Sequence, residues 1–531
     1  MTAPPSELLG LPKFSQWYPG QETLYKEMMS WLLGPERYLG AALPTGYGKS
    51  LLAMLVARMS GVRTVYLTST KGLQAQLMAD FQSLGLVDQR GMNDYQCVRF
   101  PRVHVDRAPC RTGYACPDLY GPGCHYYGQL HRTRGSNLVV TNYAYWMAQS
   151  HYNRDGLDNV ARDDNHQEIS RNSPELLICD EAHEAGKAIE SFMQVSFSAR
   201  DRVWIRWGED WTYPQWAQAC HSALPRIDDE CQVIQTRLNA TEPESDRHQD
   251  DTESVLYLQG LARRCQRCID YCQDWVPETR GETAVWTPVW PGRYNRYLVQ
   301  HVPKVLLMSA MFTKPMMEQL GIQGQWIDSP SPFPVRNTPI THVKTVRVDH
   351  RAEESEMLQW VERIDQIIRD RPNQKGLIFT VSYARARFLA QHSTQVDSML
   401  QHTTRNVAQV VDEFKKAKAP KVLVSPSVTT GYDFPDDQCN YIIIGKVPYP
   451  DTRAAIVKAR QAEDKSWTAQ LAMQILVQEA GRGTRSAQDR CQVIIVDDAW
   501  KWWWPRYHDL APRWFRDRVV PGSLGQVPKP I

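Results

Sequence analysis

The sequence predicts an α/β fold with at least two globular domains, each built on a parallel sheet. Two apolar segments are typical of buried strands, "YLGAALP" at 38–44 and "ELLICDEAH" at 175–183. The first runs through a glycine-rich turn into the helical pattern "LLAMLVARM" at 51–59, which is the strand, loop, helix order of such a sheet. A chain of 531 residues with 42% hydrophobic content is long enough to bury two or more cores.

The composition argues against a secreted or membrane-spanning protein. The N-terminal segment "MTAPPSELLGLPKF" lacks the basic start and apolar core of a secretory signal, and no apolar run reaches the roughly 20 residues of a membrane helix. Lys and Arg total 61 against 59 acidic residues, a net charge of +2. We therefore expect an intracellular, cytoplasmic protein without a membrane partner, on which any nucleic-acid surface is local.

Residues 43–50, "LPTGYGKS", have the pattern of a phosphate-binding loop. Gly46 and Gly48 would let backbone N–H groups face phosphate oxygens, Lys49 would reach the β and γ phosphates, and Ser50 would hold Mg²⁺. Leu43 stands where the strict pattern has glycine. The alternative interpretation is a glycine turn that only starts a helix.

The second strand ends in two adjacent carboxylates, which suit a metal site at the edge of a parallel sheet. Asp180 would bind Mg²⁺ directly or through water, and Glu181 would polarise an attacking water. His183 would couple this site to a neighbouring domain. Alone, an Asp-Glu pair at a strand end indicates a solvated turn, so the interpretation depends on the phosphate loop.

Two arginines near the C-terminus suit the charge of a triphosphate. Arg482 and Arg485, in "QEAGRGTRS" at 478–486, are three residues apart and would project the same way from a helix. They lie more than 400 residues beyond the phosphate loop. That separation predicts a nucleotide bound between two domains, with the arginines supplied by the second. The alternative is a solvated basic helix end.

From about residue 15 to about residue 516, the chain resembles the superfamily 2 helicases of the XPD/DinG type. The segments that carry the resemblance, in the order of the family's motifs, are "YPGQETLYKEM", "LPTGYGKS", "LTSTKGLQAQL", "DEAH", "LMSAMF", "GLIFTVSYA", "VTTGYDFP" and "QEAGRGTRS". Two positions depart from the pattern: Met311 replaces the usual Thr of motif III, and Thr430 stands where many members have Glu in motif V. The first departure concerns the coupling of ATP to DNA.

The resemblance implies two RecA-like P-loop NTPase domains that use ATP and Mg²⁺ to move 5′ to 3′ on single-stranded DNA. The expected partners are single-stranded DNA and forked duplex DNA or RNA–DNA hybrids, and we expect a monomer. The implied nucleotide-binding residues are Gln21 at the adenine, Thr45, Gly46, Gly48, Lys49, Ser50, Asp180, Gly431 and Asp433. The implied catalytic residues are Lys49, Glu181, Gln478, Arg482 and Arg485, and the candidate DNA contacts are Lys71 and Asn142.

Four cysteines lie close together in a segment rich in Gly, Pro and Arg: Cys97, Cys110, Cys116 and Cys124. Such a segment has too few apolar residues for a core of its own, so a metal group held by thiolates would fix its shape. The residues alone leave an iron–sulfur cluster, zinc and no metal open, although the gaps of 12, 5 and 7 residues suit zinc less well. The resemblance implies a 4Fe–4S cluster, because the family carries one between motifs Ia and II. Seven arginines between Arg90 and Arg134, interleaved with Tyr114, Tyr120, Tyr126 and Tyr127, predict a surface that separates or grips strands.

Two further segments have packing as their favoured interpretation. Cys265, Cys268 and Cys272 have helical spacing and would fill a helical hairpin seam, with the acidic segment 241–254 as an exposed loop between two helices. The segment 500–517 holds five of the 18 tryptophans and would pack against the second motor domain rather than stack on bases.

The predicted domains are motor domain 1 at 1–190, containing an iron–sulfur domain at 90–136, an arch-like helical insertion at 191–285, the remainder of motor domain 1 at 286–330, and motor domain 2 at 331–531. Two other functions stay open. A translocase with nuclease activity would cleave labelled DNA without ATP, and a scaffold with a dead motor would not hydrolyse ATP. The intact Lys49, Asp180, Glu181 and Arg485 argue against the scaffold.

Overall fold

A computed structural model describes residues 2–152, 160–162, 168–170, 173–208, 210–426, 432, 434, 436–484, 486, 488–520 and 529–530. Across these ranges, no helix combines the length and the apolar character that crossing a membrane requires.

The part of the chain before residue 330 alternates strands and helices, as the sequence predicts. Its strands are β1 (Tyr38–Ala42), β2 (Thr64–Thr68), β3 (Val87–Asp88), β4 (Leu138–Asn142), β5 (Val160–Arg162), β6 (Glu168–Ser170), β7 (Leu176–Asp180), β8 (Val195–Phe197), β9 (Trp275–Arg280), β10 (Thr283–Pro288), β11 (Lys304–Ser309) and β12 (Gln325–Asp328). Its helices are α1 (Pro5–Leu9), α2 (Gln21–Leu33), α3 (Lys49–Ser60), α4 (Lys71–Phe81), α5 (His125–Arg134), α6 (Tyr143–Tyr152), α7 (Ala185–Met193), α8 (Tyr213–Asn239), α9 (Asp246–Tyr271), α10 (Arg296–Val299) and α11 (Lys314–Gln319).

Seven of these strands form one parallel sheet in the order β12-β1-β11-β7-β2-β4-β3. Strand β11 lies between β1 and β7, with Ser309 paired to Ala42 and Met308 paired to Asp180. The carboxyl ends of parallel strands meet at one edge of a sheet. The phosphate loop, the D-E-A-H segment and the S-A segment of motif III therefore leave the sheet side by side.

The second part of the chain forms a second parallel sheet in the order β13-β18-β17-β14-β16-β15. The strands are β13 (Ile340–His342), β14 (Lys375–Phe379), β15 (Met399–Gln401), β16 (Lys421–Ser425), β17 (Tyr441–Ile444) and β18 (Gln492–Ile495). The helices are α12 (Glu354–Arg369), α13 (Tyr383–His392), α14 (Val407–Lys416), α15 (Ala455–Glu463), α16 (Trp467–Ala480), α17 (Trp500–Tyr507) and α18 (Arg513–Arg516). Two parallel α/β units confirm the predicted fold class.

The segment between α7 and β11 contains a hairpin of the two long helices α8 and α9, and a small antiparallel sheet in the order β8-β10-β9. The expected exposed loop at 241–254 is only partly correct. Helix α9 begins at Asp246, where the Ser245 side chain accepts a hydrogen bond from the His248 amide and caps the helix. Acidic residues near a helix N-terminus are stabilised by the helix dipole, so the second half of this segment is helical.

The two clusters expected to pack are buried. Cys265 and Cys268 of α9, with Cys272 just beyond it, are fully buried in one hydrophobic core with Cys220 of α8. Trp500, Trp503 and Trp514 lie in the core of the second sheet, as the packing interpretation expects, whereas Trp502 is 44% exposed. The Trp514 indole also donates to the Ala310 carbonyl of motif III over 2.8 Å, so the C-terminal segment bridges both halves of the chain.

Candidate functional site

The phosphate-binding loop connects β1 to α3, which begins at Lys49. Gly46 and Gly48 have positive φ angles of 73° and 76°, a conformation that favours glycine. Gln21 is buried against the loop, and its Nε2 donates to the Tyr47 carbonyl over 2.8 Å. The same Nε2 lies 2.7 Å from the position that a Cβ on Gly48 would occupy. Any other residue at position 48 would be strained by the positive φ and would also clash with Gln21, so only glycine fits there.

The residues expected to hold Mg²⁺ lie around one tyrosine. The Tyr66 hydroxyl donates to Asp180 Oδ2 over 2.8 Å and is hydrogen-bonded to the Ser50 side chain. Burial and the adjacent Glu181 carboxylate raise the pKa of Asp180 to about 6, while the nearby Lys49 ammonium acts in the opposite direction. Asp180 is buried, Ser50 and Lys49 beside it are half-buried, and the oxygens of Asp180 and Ser50 are of the kind that Mg²⁺ prefers.

Glu181 is held in a network that keeps it ionised. Its backbone has a positive φ of 49°, and its Oε2 accepts from Ser309 Oγ over 2.9 Å and lies 3.3 Å from His183 Nδ1. Burial alone would raise the pKa of Glu181, but the hydrogen bond from His183 and the charge of Lys49 outweigh it and lower that pKa. A carboxylate that remains charged near a phosphate loop can orient and polarise a water.

The second half of the chain contacts the phosphate loop through motif VI. A Cβ on Gly481 would lie 3.0 Å from Thr45 Cγ2, so the backbone of motif VI packs closely against the Thr45 side chain of the phosphate loop. Gln478 is half-buried in the last turn of α16. The nucleotide-binding loop and motif VI therefore face each other across the gap between the two sheets.

Arg482 does not lie on a helix, contrary to the expectation that it projects from one helical turn with Arg485. Helix α16 ends at Ala480, since Gly481 and Gly483 disfavour its continuation, and Arg482 lies in the following turn. Its side chain is buried and donates from Nη1 to the Tyr432 carbonyl of motif V over 2.8 Å. Arg485, Gly431 and Asp433 lie outside the described residues.

The ionisation of Glu479, which lies beside Arg482, makes the free energy of unfolding depend on pH. Burial raises the pKa of Glu479 from 4.5 to about 7, although the Arg482 guanidinium, 3.9 Å away, opposes the rise. The folded state therefore holds this proton more tightly than the unfolded state. Glu479 makes its full contribution to the free energy of unfolding below pH 4.5. That contribution, about 3 kcal/mol in total, is lost as the pH rises towards 7.

We accordingly expect Glu479→Gln to unfold at a temperature similar to that of the wild type at about pH 5, and at a higher one at about pH 8. Scanning calorimetry at both pH values measures this. Glu362→Gln removes the same charge from an exposed position of α12 and serves as the control. Equal changes of the unfolding temperature in both variants would show that Glu479 ionises freely in the folded protein.

The two candidate DNA contacts line one groove of about 860 Å³, together with Lys187 and Ser191 of the helix that follows D-E-A-H. Lys71 begins α4 and forms an ion pair with Asp94, 2.5 Å from Nζ to Oδ1. Asn142 ends β4, and its Oδ1 accepts from the Tyr145 amide over 2.9 Å. The structure thus brings Lys71 and Asn142 together, but each already has a partner within the chain.

The four cysteines of the segment 97–124 line one small cavity with apolar neighbours, among them Val105 and Leu119. Burial and the neighbouring thiols, Cys116 first, raise the pKa of Cys110 to about 11. In the described ranges, no three His, Cys, Asp or Glu side chains are close enough to hold a metal ion. Thiolates that bind one ion all lie about 2.3 Å from it, whereas those of a cluster bind different irons and stand farther apart.

The prediction of a tyrosine-lined gripping surface in this segment is mostly wrong. Tyr126 and Tyr127 are buried in the core, and Tyr114 is half-buried against Phe100. Tyr120 alone of the four is exposed, at 64%. The segment is a small packed unit, which the interleaving of polar and aromatic residues did not indicate.

Two residues of the site were missed from the sequence. Ser309, which contacts Glu181 and His183, lies in the recognised motif III segment, so a signal for it existed. Tyr66 carries no local signal, because it is a buried strand residue whose partners lie elsewhere in the chain.

Two protein families match the chain. The family described as helicase C-terminal domain matches residues 364–518, and the family described as type III restriction enzyme, res subunit, matches residues 15–206. A search of curated proteins found no matching relative.

Solved structures titled as XPD proteins share the fold. One titled "XPD_Helicase" has 14% sequence identity and a TM-score of 0.60, covering 96% of this chain and 100% of its own. The structure of S. tokodaii Xpd4 has 12% identity and a TM-score of 0.57, covering 95% and 100%. These likenesses show the fold that this chain shares with the XPD structures, and the match of residues 364–518 to a helicase C-terminal domain agrees with the expected helicase resemblance.

Proposed function

We propose that this chain, which has the domains of a superfamily 2 helicase, is an ATP-driven DNA helicase that moves 5′ to 3′ on single-stranded DNA and separates duplex strands. One observation carries the proposal: the phosphate loop, the D-E-A-H carboxylates and motif VI converge between two parallel α/β sheets. Hydrolysis of a nucleotide held there by both halves changes how strongly they attract each other. That change is the movement a translocating motor needs.

The residues of the site divide the work of hydrolysis. Lys49 places a charge at the β and γ phosphates, and Ser50 and Asp180 hold Mg²⁺ beside them. Glu181, kept ionised by His183 and Ser309, positions the attacking water. Arg485 supplies positive charge for the transition state from the second domain, and Arg482 would have to leave its contact with the Tyr432 carbonyl to do the same.

The segment 97–124 is proposed to hold a 4Fe–4S cluster through Cys97, Cys110, Cys116 and Cys124. The support is that all four thiols line one small cavity. When bound, the cluster would fix the shape of a segment that has few apolar residues for a core of its own. The domain boundaries given above are part of the same proposal, with the cysteine segment and the α8–α9 hairpin inserted in motor domain 1.

Strand displacement tests the function directly. Duplexes with a 5′ tail, a 3′ tail or no tail are incubated with the protein, with and without ATP. Release of the labelled strand from the 5′-tailed duplex alone, and only with ATP, is the expected result. Release from the 3′-tailed duplex would reverse the polarity, and cleavage of the strand without ATP would favour the nuclease alternative.

The proposal also predicts how the groove binds DNA. Affinity for single-stranded DNA should fall steeply with salt and change little with base sequence, because a translocase contacts phosphates and stacks on bases without reading them. Lys71→Ala should reduce the slope of log affinity against log salt by about one. Asp94→Asn, which frees Lys71 from its ion pair, should tighten binding. Fluorescence anisotropy at several salt concentrations measures both variants, and equal slopes would remove Lys71 from the DNA path.

A further inference from the structure

A second contact between the two halves of the chain lies at Arg460, away from the phosphate loop. Arg460 belongs to α15, yet its guanidinium donates to residues that precede the second sheet. The acceptors are the Val289 carbonyl at 2.6 Å, the Pro288 carbonyl at 3.1 Å and Glu190 Oε2 at 2.5 Å. The Arg460 side chain is 11% exposed and that of Glu190 25%, so the guanidinium is largely shielded from water while the carboxylate is half-buried.

Neighbouring residues extend this contact. The Trp290 indole donates to Glu463 Oε2 over 2.6 Å, and Gln319 Nε2 donates to Gln470 Oε1 over 2.7 Å. Trp467, the first residue of α16, lies against the guanidinium, 5.3 Å from ring centroid to Cζ. Arg460 is thus held on one face by the start of α16 and on its edges by the first half of the chain.

Helix α16 links this contact to the nucleotide site. It contains 14 residues, so it is about 21 Å long, and motif VI lies at its other end. At the N-terminal end of α16, Trp467 contacts Arg460, and Arg460 in turn pairs with Glu190. At the C-terminal end, Gly481 lies close to Thr45. Because α16 is a single helix, a contact that fixes its N-terminal end also constrains the position of motif VI at its C-terminal end.

The partner of Arg460 is also tied to the site. Glu190 lies in α7, the helix that starts two residues after His183, and the cavity of about 280 Å³ beside it is lined by both His183 and Arg460. His183 contacts Glu181 and Ser309 directly. The ion pair therefore connects α15 to the helix that follows D-E-A-H, and the contact of Arg460 with Trp467 extends this connection to α16.

We propose that Arg460 is a positioning residue for ATP hydrolysis: it fixes the angle of α16 against α7 and thereby places motif VI on the nucleotide. Arg460 does not touch the nucleotide. This inference rests on the proposed hydrolysis between the two domains but not on DNA unwinding. Nucleotide binding depends mainly on the loop at 43–50, so loss of Arg460 should affect turnover more than binding.

Steady-state ATP hydrolysis by the full chain with saturating single-stranded DNA tests this. Arg460→Met, which keeps a long side chain without the charge, should lower kcat about tenfold or more and change KM for ATP less than about twofold. Arg460→Lys keeps a charge for Glu190 but lacks the guanidinium fork, so its kcat should be intermediate. Lys458→Met, at an exposed position of the same helix, should match the wild type.

A double-mutant cycle separates positioning from general destabilisation. Glu190→Gln should lower kcat as well, and adding it to Arg460→Met should cause little further loss, because both remove the same bond. Three outcomes would each overturn the inference. They are an unchanged kcat in Arg460→Met, a rise of KM that matches the fall of kcat, and additive losses of kcat in the double variant. If Arg460→Met does not fold, Arg460→Lys and Glu190→Gln carry the same comparison. A wild type that hydrolyses ATP without unwinding DNA would contradict the proposed function alone.

Discussion

Glu181→Gln should bind ATP as tightly as the wild type and hydrolyse it more slowly by a factor of about 10² to 10⁴, the usual contribution of a general base. The substitution keeps the shape of the side chain and removes the charge that polarises water. Lys49→Ala should lose both binding and turnover, because the β and γ phosphates lose their cation. Binding of a fluorescent ATP analogue and phosphate release measure the two effects separately.

Glu184→Gln is the matched control for this prediction. Glu184 is the other carboxylate beside His183, with Oε1 3.2 Å from Nε2, but it does not contact Ser309 in the way Glu181 does. It should retain most of the turnover. Full turnover in Glu181→Gln, or an equal loss in both glutamine variants, would mean that Glu181 is not the base.

Cys124→Ser should lose iron and strand separation together while keeping ATP hydrolysis. A serine hydroxyl is a poor substitute for a soft thiolate, and three remaining ligands hold a cluster weakly. Cys124 directly precedes α5, which packs into the first core through Tyr126 and Leu130, so the nucleotide site should stay folded. Protein purified without oxygen is analysed for iron, sulfide, visible absorbance, ATP turnover and unwinding.

Cys231→Ser provides the comparison. Cys231 is half-buried on α8 and does not line the cavity of the four thiols. This variant should contain as much iron as the wild type, with iron and sulfide in equal amounts. Wild-type protein that contains zinc and no iron, or a Cys124→Ser variant that unwinds normally, would contradict the proposed cluster.

The predictions that succeeded rest on patterns within short segments. An apolar strand followed by Gly-x-Gly-Lys and a helical repeat fits a phosphate loop, because positive φ at positions 46 and 48 requires glycine. The burial of the tryptophans at 500, 503 and 514 likewise follows from their large apolar area. The errors arose where a segment was assigned one conformation from its composition, as with the acidic stretch at 241–254 and the tyrosines near the four cysteines.

By itself, the sequence determined the class of fold, the glycine-rich turn between β1 and α3 and the grouping of four thiols, since each depends on neighbours a few residues apart. Only the tertiary structure decided which distant side chains complete the site: Tyr66 on Asp180, Ser309 on Glu181, Arg482 turned towards motif V, and Arg460 on Glu190. These contacts join residues separated by 50 to 270 positions. They depend on the order of strands in a sheet and on how two domains meet, and these are set by packing of the whole chain rather than by any local pattern.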